Sequence, residues 1–331
     1  TAADPAYRLA TERAARVEAT MTCDVRADKL QASEWLVFVP VLPTTAGQTD
    51  SSTKMTPAGK ETAELSDLAR PLLLARVRAD NDELKHAAKM EVVYSATLWS
   101  RHLVPLTRGA KAPPTNDLSA AEREAALRSA GDLSYDSDEL KTWQREHKLL
   151  RDQGESEIDF ARRVFATIRS EFTYAYQPEM DRAPAAVCKA GKSDCGGLSN
   201  LLVATLRSQG IPARTLAGRW AVSADPNEKL NGHPYYQYHV KAEFFAAGVG
   251  WVPADMASGI LHDRSREGLR YFGHDPGDFL TQHIDGNLEI DTIHFGKQQL
   301  AVLQRPAFWV TGSGSLDDVK LLESWVVTME R

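Results

Sequence analysis

The sequence predicts an α+β fold, with a β-sandwich-like N-terminal domain and a second domain in which a helix packs on an antiparallel sheet. Along residues 17–104, apolar residues alternate with polar ones, as is typical of half-buried strands. After a Pro-containing segment the apolar period becomes that of helices, and strand-like segments return only after residue 212. We therefore predict a β domain over residues 1–110, a helical linker region over 111–155 and a second domain over 156–331.

The composition is that of a globular protein. Of the 331 residues, 43% are hydrophobic and 25% are charged, which is enough apolar material for a sizeable core. The formal net charge of -6 gives no support to nucleic-acid binding. No apolar run approaches the roughly 20 residues of a membrane-spanning helix. We therefore expect neither a nucleic-acid partner nor a membrane span.

Two alternating segments and a stretch rich in strand formers define the first domain. Val17, Met21 and Val25 lie on the apolar side of the first segment, and residues 90–98 repeat the alternation. Between them, the sequence EWLVFVPVLP is rich in residues that favour strands. The stretch TTAGQTDSSTKMTPAGKET is polar and rich in turn formers, and it predicts a loop.

Three helices are predicted ahead of a central cysteine. Ser119 and Glu122 have the spacing of a capping box, and Gly131 is predicted to close that helix. The second helix is predicted over residues 138–151, and the third begins at Ser156. A short extended piece, FTYAYQP, follows the third helix.

Cys195 lies at the predicted N-terminus of a helix, in the sequence GKSDCGGLSNLLVATLRSQGIPAR. Asp194 has the residue type of an N-cap, and an apolar face begins at Leu198. Gly210 followed by Pro212 is predicted to end the helix. Because unpaired N–H groups and the helix dipole stabilise a thiolate at such a position, one hypothesis is a nucleophile. The alternative is a buried structural cysteine, the usual state of a free cysteine.

Two later strand segments offer a base for the thiol. In YHVKAEFF, His239 shares its side with Lys241 and Glu243, so it is predicted to face outward toward a cleft. The next segment, GWVPAD, ends in Asp255 after a short hairpin, which allows the carboxylate to return to the imidazole. Such a carboxylate fixes the tautomer and supports the imidazolium form. Taken alone, the histidine is more simply a core or surface residue, and the aspartate a turn residue.

Together these segments resemble the transglutaminase-like (papain-like thiol) superfamily of bacterial proteins. The stretch GKSDCGGLSNLLVATLRSQGIPARTLAGRW is similar to the family's cysteine helix, YHVKAEF to its histidine strand and GVGWVPAD to its aspartate segment. The resemblance covers residues 156–258. It implies a transglutaminase-like catalytic core with Cys195 as nucleophile, His239 as base and Asp255 as the residue that orients the imidazole.

The resemblance also implies an oxyanion donor upstream of the cysteine, for which Tyr174, Tyr176 and Gln177 are the candidates. Two features depart from the family pattern. Ser193 stands where a glycine or another small residue is common, and GGLSN follows the cysteine in place of an aromatic or acidic pair. Both departures bear on the choice of substrate.

Aromatic residues near these segments have two interpretations. Trp220, Tyr235 and Trp251 are candidates for lining a substrate groove, although aromatic residues on strands more often belong to the core.

No metal or other cofactor is predicted. The segment YFGHDPGDFLTQH holds His274, Asp275, Asp278 and His283, which suggest a metal cluster, but DPGD is first of all a turn sequence. The sequence contains no CxxC pair.

The three cysteines leave at least one thiol unpaired within the monomer. Cys23 and Cys188 form a bridge in one interpretation, which requires an oxidising compartment, and stay reduced in the other.

The implied function is thiol-dependent acyl transfer on the amide bonds of a peptide or protein. Water as the acceptor makes the protein a peptidase or amidase, and an amine makes it a transglutaminase; the family's bacterial members favour hydrolysis. The alternative is a non-enzymatic binding or scaffold protein with a relic triad. The start at Thr1, the few cysteines and the family's habit predict an exported protein, and a truncated cytoplasmic one is the alternative.

Overall fold

A computed structural model describes residues 7–107 and 117–330. The chain divides into two compact units, and each is built from three separate segments. The helical unit comprises residues 7–14, 99–216 and 239–277, and the strand unit comprises residues 15–98, 217–238 and 278–330. This interleaved division differs from the three contiguous domains of the sequence prediction, whose boundaries stay a prediction. Residues 108–116 of the predicted linker region lie outside the described residues.

Strands predominate over helices in both number and length. The strands are β1 Tyr7–Arg26, β2 Leu30–Pro40, β3 Gln48–Thr56, β4 Lys60–Ala63, β5 Pro71–Arg78, β6 Ala87–Pro105, β7 Thr173–Tyr174, β8 Lys192–Ser193, β9 Ala213–Trp220, β10 Lys229–Leu230, β11 His233–Pro234, β12 Tyr238–Ala246, β13 Gly250–Ala254, β14 His274–Asp275, β15 Phe279–Ile284, β16 Leu288–Asp291, β17 Lys297–Leu300, β18 Ala307–Gly314 and β19 Lys320–Glu330. The helices are α1 Asp82–His86, α2 Ala120–Leu127, α3 Asp138–Glu146, α4 Glu157–Glu171, α5 Pro184–Ala190, α6 Cys195–Ser208 and α7 Met256–Leu261, with a 3-10 helix over Gly131–Leu133.

The helix starts follow the predicted caps, whereas two of the helix ends do not. The Ser119 hydroxyl and the Glu122 carboxylate form both hydrogen bonds of the capping box, and Ser156 caps α4. However, α2 ends at Leu127, and Gly131 begins the 3-10 helix. The helix predicted over residues 138–151 is shorter, because the chain turns into the left-handed region at Lys148.

The polar stretch predicted as a loop contains two strands, β3 and β4. All of β4 is exposed, and it pairs only with β5 at a sheet edge, where polar residues are usual. In β3, the Gln48 side chain is buried and forms three hydrogen bonds. Its amide nitrogen donates to the carbonyls of Pro43 and Thr281 at 2.8 and 2.9 Å, and its amide oxygen accepts from the Thr281 N–H at 2.8 Å. The prediction of a loop over this stretch is therefore wrong. Because β3 and β4 have few buried residues, their sequences lack the alternation of apolar and polar residues by which strands are predicted.

Two antiparallel sheets supply the core of the strand unit. One has the order β18-β2-β5-β4, and the other places β6, β1 and β19 side by side, with β3 also pairing with β6. Apolar residues from both sheets form one buried cluster that includes Met21, Val37, Met90 and Trp325. The pairing of β1 with β19 joins the two ends of the sequence in this unit, which no contiguous domain boundary allows.

The helical unit surrounds α6 with apolar side chains. Helices α4 and α6 and strands β12 and β13 contribute to one buried cluster, which includes Phe165, Leu201, Phe244 and Val252. Strands β9, β12 and β13 are neighbours in one sheet, and β12 pairs with β13 in antiparallel fashion. The predicted combination of a cysteine-bearing helix and an antiparallel sheet is therefore present in this unit.

A buried ion pair fixes a turn in the strand unit. The Arg70 guanidinium contacts Glu64 at 3.2 Å and donates to the carbonyls of four consecutive residues, from Ile284 to Asn287. Burial alone would raise the pKa of Glu64, but hydrogen bonds from Ser66 and Arg70 outweigh it and lower the pKa to about 2. The folded protein therefore holds Glu64 ionised well below the pH at which an unfolded chain protonates it.

We expect Glu64 to make the free energy of unfolding depend on pH. Because its pKa is lowered on folding, its contribution is complete above about pH 4.5 and is lost as the pH falls toward 2. A shift from 4.5 to about 2 corresponds to about 3 kcal/mol. Denaturant unfolding of the wild type and Glu64→Gln at a series of pH values measures this, and the wild type should lose more stability between pH 5 and 2. Parallel pH curves for the two proteins would contradict the expectation.

Candidate active site

Cys195 is the first residue of α6, as the sequence predicts. Asp194 is the N-cap, and its Oδ1 accepts hydrogen bonds from the N–H groups of Gly196 at 3.0 Å and Gly197 at 3.2 Å. These bonds satisfy two of the donors that every helix leaves unpaired at its start. Leu198 and most of the following residues of α6 are buried, so the helix presents a half-buried thiol from a rigid position.

Strand β12 lies against the first turn of α6. The Ser199 hydroxyl of α6 donates a hydrogen bond to the Val240 carbonyl at 3.1 Å, and the backbone N–H of Val240 acts to lower the pKa of the Cys195 thiol. Val240 directly follows His239 in β12. The thiol is thereby held beside the strand that carries the predicted base.

The electrostatic environment of the thiol differs from the expectation. Burial raises the pKa of Cys195, and the carboxylate of Asp194 raises it further. The Val240 N–H and the positive charge of Arg182 act in the opposite direction, but they are outweighed. A helix dipole contributes only about 0.3–1 kcal/mol at an exposed site, less than burial of a charge costs. The predicted stabilisation of the thiolate by the helix N-terminus alone is therefore not sufficient.

His239 and Asp255 form a buried hydrogen bond. Nε2 of the imidazole lies 2.9 Å from Oδ2 of Asp255, and the two residues are 6% and 4% exposed. Ser258 adds two hydrogen bonds to the same carboxylate, from its N–H to Oδ1 at 3.0 Å and from its hydroxyl to Oδ2 at 2.9 Å. Burial opposes ionisation, but His239 and these bonds hold the pKa of Asp255 below its ordinary value. A carboxylate acceptor assigns the imidazole proton to Nε2 and makes Nδ1 the basic nitrogen.

The polar face of β12 is buried, which corrects the prediction that His239 faces outward. Lys241 and Glu243, which share this face, are 5% and 0% exposed. The charges are compensated by residues of other elements, and together they form what we call the β12 charge cluster. Its members are Arg101, Arg214, Lys241, Glu243 and Asp275.

Within the β12 charge cluster, positive and negative groups alternate. Arg101 contacts Glu243 at 2.7 Å and Asp275 at 3.1 Å, and Lys241 approaches Asp275 at 3.5 Å. Arg214 also donates to Glu243 at 2.8 Å. Despite burial, Lys241 and Arg101 lower the pKa of Asp275 to about 2, and the two arginines lower that of Glu243. The charge of Lys241 also favours the ionised form of Asp255, so the cluster extends electrostatically to the histidine.

Residues 147–256 match the family model of the transglutaminase-like superfamily. The resemblance predicted from the sequence is thereby confirmed for this transglutaminase-like segment, which contains Cys195, His239 and Asp255. No curated protein matches the chain.

Several solved structures are similar to this chain to different extents. A candidate cysteine protease from Cytophaga hutchinsonii is 13% identical, with a TM-score of 0.54 over 97% of this chain and 100% of its own; this likeness shows a shared fold. The periplasmic domain of TgpA from Pseudomonas aeruginosa is 13% identical, with a TM-score of 0.38 over 76% of this chain and 92% of its own. A transglutaminase from red sea bream is 10% identical, with a TM-score of 0.30 over 82% of this chain and 58% of its own.

The oxyanion candidates lie just before the cysteine helix of the transglutaminase-like segment. Tyr174 in β7 pairs in parallel with Ser193 in β8, and the Ala175 N–H donates to the Ser193 carbonyl at 2.9 Å. Gln177 is exposed, and Tyr176 is half-buried. Ser193, the partner of Tyr174 in this strand pair, lies two residues before Cys195 in the sequence. The role of Tyr174, Tyr176 or Gln177 as oxyanion donor stays a prediction.

The aromatic groove candidates are divided between the two units. Trp251 belongs to the helical unit, where the Arg214 guanidinium lies 3.9 Å from its ring centroid and Phe245 packs edge-on at 5.7 Å. Trp220 packs against Phe279 at 5.7 Å in the strand unit, and Tyr235 also lies there. These ring contacts are packing contacts, and a substrate groove stays a prediction.

The other titratable residues of interest have structural partners. His274 contacts His102 at 3.1 Å between the two Nδ1 atoms, and Asp275 belongs to the β12 charge cluster. Burial lowers the pKa of His283 to about 4; its two ring nitrogens contact the Asp285 carbonyl and the Leu303 N–H. Within residues 7–107 and 117–330, no group of three His, Cys, Asp or Glu side chains has the arrangement of a metal site.

Neither Cys23 nor Cys188 forms a disulfide, so the bridge between them considered from the sequence is absent. Over the described part of the chain, no helix is both long enough and apolar enough to cross a membrane.

Three positions of the site were not found from the sequence. Arg101 lies 142 positions from Glu243 and Arg182 lies 12 positions from Asp194, and no local pattern marks either arginine. Ser258 had a usable signal, since a residue three positions after an aspartate N-cap is where the capping hydrogen bonds form.

Ser193 and Gly197 are sterically coupled in the structure. A Cβ atom at Gly197 would lie 2.0 Å from Oγ and 2.9 Å from Cβ of Ser193, and 3.1 Å from a methyl group of Val187. The Ser193 side chain therefore occupies the space that any larger residue at position 197 requires. Both residues belong to the stretches in which the sequence departs from the family pattern, so the two departures are neighbours in space.

We expect Gly197→Ala to destabilise the protein, and Ser193→Gly to restore most of the loss. Overpacking of a well-packed site costs about 1–3 kcal/mol, and removal of the serine side chain clears the two shortest contacts. Gly196→Ala is the comparison variant in the same turn, because the Cβ there meets Arg182 at 3.1 Å and Asp194 at 3.3 Å, which are longer than the shortest contacts at Gly197. Denaturant unfolding of the single and double variants measures the effects. A Gly197→Ala protein as stable as the Gly196→Ala control would contradict the coupling.

Proposed function

We propose that the protein catalyses thiol-dependent acyl transfer on amide bonds of a peptide or protein substrate, with Cys195 as nucleophile, His239 as general base and acid, and Asp255 as the orienting carboxylate. The observation that carries this proposal is the buried His239–Asp255 hydrogen bond on β12, whose next residue, Val240, accepts a hydrogen bond from Ser199 of the cysteine helix. The match of residues 147–256 to the transglutaminase-like superfamily supports a thiol enzyme in general.

The first half of the reaction forms a thioester. Because burial raises the pKa of Cys195, the thiol is neutral at rest, and its proton moves to Nδ1 of His239 as the sulfur attacks the carbonyl carbon. The S–C bond forms, and the carbonyl oxygen becomes an oxyanion that backbone N–H groups stabilise. The imidazolium then donates its proton to the nitrogen, the C–N bond breaks, and the amine leaves. Asp255 is ionised at neutral pH, so it stabilises the imidazolium throughout.

The second half releases the acyl group. His239 removes a proton from water or from an amine, the acceptor attacks the thioester carbon, and the C–S bond breaks with return of the proton to sulfur. With water the product is a carboxylic acid, and with an amine it is a new amide. We favour hydrolysis, as the sequence resemblance does. The alternative of a scaffold protein with a relic site is less favoured, because a binding module gains nothing from burying a paired carboxylate and imidazole.

We expect His239→Ala to lower kcat/KM for hydrolysis of amide substrates by at least about 100-fold, because general acid–base catalysis contributes that much or more. Cys195→Ala should abolish turnover. The matched control is His262→Ala, since His262 is exposed and lies outside the proposed triad. Thermal unfolding checks that each variant is folded. Turnover by the folded His239→Ala or Cys195→Ala protein at the wild-type rate would rule out the proposed triad.

The acceptor is tested with a set of peptides, incubated with and without an added primary amine. We expect the mass spectra to show the same hydrolysed products in both conditions, because water is the proposed acceptor. A product whose mass includes the amine at a glutamine side chain would replace hydrolysis with transamidation. Peptides incubated with Cys195→Ala provide the background.

Export from the cytoplasm stays a prediction of the sequence, and fractionation of the source cells tests it.

A further inference from the structure

The N-cap of α6 presents an electrostatic problem for the proposed nucleophile. Asp194 supplies the two hydrogen bonds that start the helix, but its carboxylate is adjacent to the thiol along the chain and only 4% of its side chain is exposed. An uncompensated buried carboxylate opposes formation of a thiolate at the next residue. A cap of this kind is compatible with a reactive cysteine only if another group offsets its charge.

Arg182 is the group that offsets it. Its Nε lies 3.1 and 2.9 Å from the two carboxylate oxygens of Asp194, and Nη2 lies 2.7 Å from Oδ2. Three charge-assisted contacts in the plane of the guanidinium form the bidentate geometry that lysine does not reproduce. The arginine side chain is 24% exposed, so the pair lies at the edge of the buried site.

The same guanidinium organises the backbone that precedes the cysteine. It donates to the carbonyls of Gln177 at 3.2 Å and Met180 at 3.0 Å, and the carbonyl of Arg182 itself accepts from the Asn200 side chain at 3.2 Å. Its aliphatic part lies across the first turn of α6, where a Cβ at Gly196 would be 3.1 Å from its Cδ. Through its side chain and its backbone carbonyl, this one residue therefore joins residues 177–180, the N-cap and the second turn of the helix.

We propose that Arg182 is a positioning residue for Cys195: it neutralises the Asp194 carboxylate and fixes the segment 177–180 beside the first turn of α6. The inference rests on the proposed function in so far as the thiol is the nucleophile. Other groups that act on the thiol are Asp255 at the end of β13 and the Val240 N–H on β12, and the charge of Asp255 is balanced by His239. Asp194 has no other cationic partner among the described residues.

The test is the pH dependence of Cys195 alkylation by iodoacetamide, followed by mass spectrometry of peptides so that Cys23 and Cys188 are counted separately. We expect Arg182→Met to move the midpoint upward by about one pH unit, the lower end for loss of a neighbouring opposite charge, which makes alkylation about tenfold slower below the midpoint. Asp194→Asn keeps a capping residue without the charge and should move the midpoint downward. In the Asp194→Asn background, Arg182→Met should shift the midpoint less than in the wild type, because only the direct action of the guanidinium on the thiol is then lost.

Two variants keep the proposal falsifiable if Arg182→Met does not fold. Arg182→Lys retains the charge and loses the bidentate contact, and we expect a smaller upward shift. Arg145→Met is the matched control, because it removes an exposed arginine at the end of α3 and should leave the midpoint unchanged. An equal shift by Arg182→Met with and without Asp194, or no shift by any variant at Arg182, would overturn the proposal.

Alkylation reports on the thiol whether or not the protein turns over an amide, so the two proposals fail separately. Loss of the triad hypothesis appears as unchanged turnover in His239→Ala. Loss of the positioning hypothesis appears as an unchanged alkylation midpoint in the variants at Arg182.

Discussion

Arg101 and Glu243 meet at 2.7 Å with 2% and 0% of their side chains exposed, and the other groups of the candidate site depend on this contact. Removing one partner of a buried ion pair costs about 3–5 kcal/mol, because the remaining charge stays in a medium that solvates it poorly. The arginine also binds Asp275, and through Asp275 it reaches Lys241. The polar face of β12 is buried because these charges compensate one another.

That burial determines what His239 and Asp255 can do. In water a histidine and a carboxylate interact weakly, whereas at low exposure their attraction is strong and their geometry is fixed. Ser258 holds the carboxylate from two directions, so Asp255 keeps one orientation toward the imidazole. The base is thus oriented by a network that continues from α7 through β12 to β14.

The same burial raises the cost of a charged nucleophile. Both carboxylates that act on the thiol, Asp194 and Asp255, oppose its ionisation, and each is paired with a cation or a potential cation. In the proposed mechanism, activation therefore depends on transfer of the thiol proton to His239 during attack, because a preformed free thiolate is disfavoured. When the proton moves from the thiol to the imidazole, the net charge of the two side chains together stays constant. The thiolate is then paired with an imidazolium, which avoids the desolvation cost of a lone thiolate.

Local signals in the sequence were sufficient for the cysteine helix and the histidine–aspartate hairpin. Asp194, the glycines and the apolar period locate α6, and the short connection between β12 and β13 returns Asp255 to His239. The environment was not predictable in this way. Glu243 lies 142 positions from Arg101. A strand with one apolar face and one buried charged face shows the same alternation in its sequence as a strand whose polar face is exposed to solvent. The division into two units has no local signal for a related reason, since β1, β6 and β9 each continue from one unit into the other.

The contact between Ser193 and Gly197 shows that two departures from a family pattern can be related through space, which a comparison of single positions does not reveal. Each residue departs from the pattern singly, and from the sequence each departure bears on substrate choice. In the structure the serine side chain fills the space that the glycine leaves open, at 2.0 Å from where a Cβ would stand. Because the space is shared, the residue at one position limits the residue at the other. The packing of α6 therefore couples the two departures, and their effect on the choice of substrate stays a prediction.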